Sequence, residues 1–145
     1  MFYFYIHFNL FAVERTLSSN DDRVVTKAVT AGSAVSFNCT LDESCVNQSI
    51  DWVHYFASDN GAGIWYRSGR LNPELKSSGI TVEEDSARGW SVLSIPSASL
   101  YDSGRFHCVV PRLQHRCQMN FQLTVTGKLA KFNVNMGLRT GCAWL

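Results

Sequence analysis

Apolar and polar residues alternate one by one in several short runs of this chain. Val35, Phe37, Cys39 and Leu41 alternate with polar neighbours, and Ile50, Trp52 and Phe56 do so after them. Leu93 with Ile95, and Phe106 with Cys108, repeat the pattern, as do Met119, Phe121, Leu123 and Val125. A period of two is what a strand with one buried face requires, so these runs predict strands over 34–41, 50–57, 91–95, 105–110 and 117–126. Weaker runs predict strands over 23–29, 64–67 and 80–84. Ala31-Gly32-Ser33, Asp59-Asn60-Gly61-Ala62-Gly63 and the polar corner from Ser97 to Gly104 read as turns between them. The expected class is all-β.

The order of three features narrows this class. Cys39 lies on one predicted strand and Trp52 on the next. Cys108 follows the corner Asp102-Ser103-Gly104-Arg105-Phe106. Over 22–127 the chain therefore resembles an immunoglobulin superfamily domain. The resemblance implies a Greek-key β-sandwich in which Cys39 and Cys108 are bridged across the sheets against Trp52, with Leu93, Ile95, Asp102 and Phe106 in the core. The long interval between the two cysteines leaves room for the extra C′ and C″ strands of the variable type (V-like), with an intermediate type as the alternative. The chain departs from the family in three ways. Phe106 stands where a tyrosine hydroxyl would lock the corner. Asp102 has no evident arginine partner, Arg88 being the candidate on sequence alone. The joining-segment Gly-x-Gly bulge is absent from 117–125, which speaks against a rearranging antigen receptor.

Two more cysteines change the picture at one end. In such a sandwich Cys45, in the loop between the strands over 34–41 (B) and 50–57 (C), and Cys117, at the far side of the hairpin between those over 105–110 (F) and 117–126 (G), share one end and come within bridging reach. The chain-entropy model gives about 3 kcal/mol for this second closure and about 4 kcal/mol for the framework bridge. The second bridge either stiffens a binding tip or contributes stability alone. Free thiols would instead point to a cytosolic domain.

The remaining bulk features bound the function. The chain has 145 residues, 17% of them charged and a net charge of +1, enough for one domain with tails. It carries no Lys/Arg cluster that would track phosphates, so no nucleic-acid partner is expected. The sequons Asn38-Cys39-Thr40 and Asn47-Gln48-Ser49 predict glycans on Asn38 and Asn47 and an oxidising secretory route. Residues 1–18 are a signal-like apolar segment without a positive start, readable also as an N-terminal strand or a gene-model error. Residues 128–145 read as an unstructured tail or a gene-model artefact, with Cys142 as the odd cysteine. No run in this chain has the roughly 20 apolar residues that span a bilayer. The expected location is extracellular, as a secreted protein or the ectodomain fragment of a membrane protein.

Catalysis finds no support. Nucleophile elbow, Walker loop and His-Glu-x-x-His are missing, and the histidines lack metal spacing. His54 and His107 fall on opposite faces by alternation, and His115 lies in the F–G loop as a solvated or contact residue. No enzyme activity, cofactor or metal is expected.

Binding fares better. With Trp52 and Cys108 inward, the outer face of strands G, F, C and C′ carries Val53, Tyr55, His107, Val109 and one of Trp65 or Tyr66. Aromatic residues on a solvated sheet are typical of interfaces, and both sequons lie elsewhere. The face is expected to meet a protein partner on a cell surface or a second copy in a homodimer, unless C″ or a tail covers it. Arg112 and Arg116 in the F–G loop would grip an acidic or glycan carboxylate ligand, or form a solvated basic loop. The resulting expectation is an extracellular recognition or adhesion module. A structural spacer of a larger adhesion or matrix protein, or an intracellular muscle-type sandwich, are the alternatives.

Overall fold

The computed structural model describes residues 24–113 and 116–127. The segment 1–18, His115 and the tail 128–145 with Cys142 lie outside the described residues. The strands are β1 (Val24–Thr30), β2 (Val35–Thr40), β3 (Asp51–Phe56), β4 (Ala62–Arg67), β5 (Arg70–Leu71), β6 (Thr81–Asp85), β7 (Trp90–Ile95), β8 (Gly104–Val109) and β9 (Gln118–Thr126). They form two sheets, β1-β9-β8-β3-β4-β5 and β2-β7-β6. The chain is all-β apart from short 3-10 turns, and β4 and β5 extend the larger sheet beyond β3. In the family's lettering β2, β3, β8 and β9 are B, C, F and G.

Alternation decides what enters the space between the sheets. Phe37 from β2, Trp52 from β3, Phe106 from β8 and Phe121 from β9 are buried together. Phe37 stands 5.0 Å from Phe106 and 5.1 Å from Phe121 between ring centroids. Cys39 and Cys108 are bridged across the sheets with Cα atoms 6.3 Å apart, beside Trp52. The indole N–H of Trp52 donates to Ser91 Oγ at 2.9 Å, and Ser91 Oγ–H donates to the Glu83 carbonyl at 3.0 Å. A buried indole without such an acceptor would carry a desolvation cost, so Ser91 is a core residue despite its polarity.

The two sheets are also tied at their edges. Glu84 of β6 accepts the Tyr66 hydroxyl of β4 at 2.8 Å and the Ile50 N–H at 3.2 Å. Burial and the neighbouring Glu84 charge push the Tyr66 phenol up to about 12. On the inner side, Met119 Sδ of β9 accepts the Thr40 N–H of β2 at 3.2 Å.

The corner before β8 is built differently from the expectation. Asp102 is half-buried, and its Oδ2 accepts Ser99 N–H at 2.6 Å and Ser99 Oγ–H at 2.9 Å, closing a short turn over Leu100–Asp102. Arg88 does not reach it, because Arg88 lies 3.7 Å from Asp85 three residues away. Gly104 leaves the turn at φ +142°, where a Cβ would land on the Tyr55 carbonyl oxygen. No L side chain fits that approach, which is why glycine stands there.

Candidate functional site

β3, β8 and β9 register so that their outward side chains form rows across the sheet. Val53 lies opposite His107, and His107 opposite Asn120. One step along, Tyr55 lies opposite Arg105, and Arg105 opposite Gln122. On the other side β4 brings Ile64 beside Val53 and Ala62 beside Tyr55. Directly opposed residues share a face, so these side chains form one continuous outer surface. Tyr55 and Ile64 are exposed there, and the Tyr55 and His107 rings stand 4.7 Å apart.

Two expected members of this face, Val109 and the one of Trp65 or Tyr66, are not exposed on it. Trp65 and Tyr66 are both buried in the core. The register slips between Trp52↔Tyr66 and Val53↔Ile64, so β4 carries one extra residue and a bulge turns both aromatic side chains inward. Trp65 then meets His54 and Phe106 edge-on at 4.8 and 5.0 Å. Ile64 takes the exposed position that alternation had assigned to one of the two aromatics. Val109 does face outward but is only 9% exposed. Its register partners Asp51 and Gln118 flank it with longer side chains, and Asp51 is itself held by Arg67 at 2.9 Å.

The outer face contains a concavity of about 580 Å³ whose lining includes Tyr55, Asn60, Arg105, His107 and Gln122. Among the described residues no acidic side chain lines it. The Arg105 side chain is exposed and has no ion pair or hydrogen bond among the described residues. Arg105 and Gln122 are not among the residues expected on this face, although the alternation that puts His107 outward puts both there too.

The loop end forms a second candidate. Cys45 and Cys117 are bridged with Cα atoms 5.7 Å apart, joining the short turn Glu43–Cys45 to the start of β9. Arg112 and Arg116 are exposed near this end. Arg112 helps line a concavity of about 390 Å³ with Gln48, Ser49 and the Asp51–Arg67 pair. One buried carboxylate already compensates one of its two arginines, which leaves this site electrostatically weaker than its composition suggests.

Both sequon asparagines are exposed and away from the outer face. Asn38 is on β2 in the other sheet, and Asn47 is in the loop between β2 and β3. His54 lies inside, fully buried, and the described residues hold no cluster of three or more metal-ligating side chains. No helix among the described residues is long and apolar enough to cross a membrane.

No family model and no curated protein matches the sequence. Among solved structures the chain is similar to the first immunoglobulin domain of the mouse polymeric immunoglobulin receptor. That likeness has 15% identity and a TM-score of 0.57, and it covers 72% of this chain and 91% of that one. At such identity the likeness establishes the fold, an immunoglobulin-like β-sandwich.

Proposed function

We propose that this chain is an extracellular recognition module of variable-like type that binds a protein partner through the outer face of β9, β8, β3 and β4. The fold suits such a module, and its two disulfides are consistent with an oxidising compartment. One observation carries the choice of face. Tyr55 and Ile64 are exposed on it, next to half-buried Val53 and the Tyr55–His107 ring pair, while both sequons lie elsewhere. Exposed apolar and aromatic side chains grouped on a rigid sheet lose little conformational freedom on docking and are enriched in interface centres. Glycans on Asn38 and Asn47 would leave this face clear. The extension of the larger sheet beyond β3 by β4 and β5 supports the variable-like reading. The reading calls for no cofactor and no catalytic residue.

The test uses the glycosylated domain, multimerised, on a panel of cell lines, with sedimentation to follow self-association. Tyr55→Ala combined with Ile64→Asp changes two exposed positions, so the melting temperature should stay nearly constant. Cell capture, or the dimer if that is the partner, should disappear. Unchanged capture and unchanged self-association would refute the face.

A further inference from the structure

We infer that the concavity around Arg105 receives a carboxylate from an Asp or Glu side chain of the protein partner. This rests on the reading of the outer face as a protein interface and adds the chemistry that the partner must present.

The argument begins with an unbalanced charge. Arg105 projects from β8 on the outer face, yet among the described residues no acidic side chain lines the concavity it borders. The carboxylates of β3, of the turn after it and of β6 offer no answer to it. Asp51, at the end of β3, is buried and paired with Arg67 at 2.9 Å. Asp59 is occupied locally, with Oδ1 accepting Gly61 N–H at 2.9 Å. Glu83 and Asp85 belong to β6 in the opposite sheet. An arriving carboxylate would therefore meet a guanidinium that has no competitor among the described residues.

The surroundings favour a fork-to-carboxylate contact. Register sets Tyr55 on one side of Arg105 and Gln122 on the other. Asn60 and Gln122 add amide donors to the lining, and the paired Tyr55 and His107 rings form an aromatic wall. When a partner covers the site, water leaves and the charge-assisted hydrogen bonds strengthen. Val53 and Ile64 continue the wall toward β4, which suits the aliphatic stem of an acidic side chain and its neighbours better than a polyhydroxylated sugar. A volume of about 580 Å³ holds such a side chain with its flanking residues.

The experiment titrates the glycosylated domain with two capped peptides, identical except for Glu or Gln between leucines, followed by NMR of the Arg105 Nε–H and the Gln122 amide. The Glu peptide should shift these resonances saturably, with affinity falling as salt rises. The Gln peptide should bind at least about tenfold more weakly. Arg105→Gln should erase the difference between the peptides, and Arg105→Lys should retain part of it. Equal binding of the two peptides, or no effect of Arg105→Gln, would overturn the inference. So would shifts produced by N-acetylneuraminic acid and not by the Glu peptide, which would assign the site to an acidic glycan. Arg105→Gln leaves Tyr55 and Ile64 intact. Cell capture lost with Tyr55→Ala/Ile64→Asp but kept with Arg105→Gln would therefore overturn this inference alone and leave the face standing.

Discussion

The imidazole of His54 lies flat on the ring of Phe106, with centroids 4.1 Å apart and planes 8° from parallel. Phe56 and Trp65 close the imidazole edge-on at 4.5 and 4.8 Å. Neither ring nitrogen reaches hydrogen-bonding geometry with a partner among the described residues. The aromatic cage keeps His54 neutral. Burial lowers it to about 4, and the Ser103 backbone and the Asp102 charge oppose that shift only in part.

An acid-sensitive core follows from that cage. The unfolded chain takes up a proton on His54 as pH falls below 6.5, while the folded chain refuses it until about 4. Stability should be insensitive to His54 above that window and fall as pH drops through it, by about 3 kcal/mol in all. Chemical denaturation at pH 7 and pH 4.5 checks this against His54→Leu, which should lose less stability than the wild type by roughly that amount. Parallel losses in the two proteins would show that His54 is not the group responsible.

Removing Arg67 should expose the cost of a buried carboxylate. Asp51 is 2% exposed and depends on the Arg67 guanidinium at 2.9 Å, with the Ser68 N–H a long 3.4 Å away. Arg67→Ala should destabilise the domain by about 2 kcal/mol, below the range for a fully buried pair because Arg67 is half in solvent. Adding Asp51→Asn should restore at least part of the loss. Urea midpoints of the single and double variants read this directly, and equal midpoints for wild type and Arg67→Ala would show the pair to be energetically silent.

The second bridge should act locally. Cys45→Ala with Cys117→Ala releases the loop end, at a cost of up to about 3 kcal/mol in the chain-entropy model. Amide exchange should quicken in the loop after β2 and at the start of β9, and Trp52 with its β3 neighbours should keep their protection relative to global unfolding. Loss of protection at Trp52 equal to that at the loops would make the bridge part of the core.

Much of the fold was legible because strand alternation is a property of the local backbone. Successive side chains point to opposite faces whatever lies beside the strand. Phe37, Cys39, Trp52, Phe106, Cys108 and Phe121 could be placed inward from the chain alone, and they are buried. The same rule placed Val53, Tyr55 and His107 outward. The pairing of Cys45 with Cys117 came instead from the resemblance, which brings the two loops to one end of the sandwich.

Only the tertiary structure decided the composition of the outer face. A single inserted residue in β4 turned Trp65 and Tyr66 into the core and left Ile64 at the surface. Register put Arg105 between Tyr55 and Gln122, and it set Val109 between Asp51 and Gln118. The partners of Asp102 and Tyr66 likewise came from the turn and from the opposite sheet. Alternation reports which side of its own strand a residue takes. Register, bulges and contacts between sheets depend on segments far apart in sequence, and only folding brings these together.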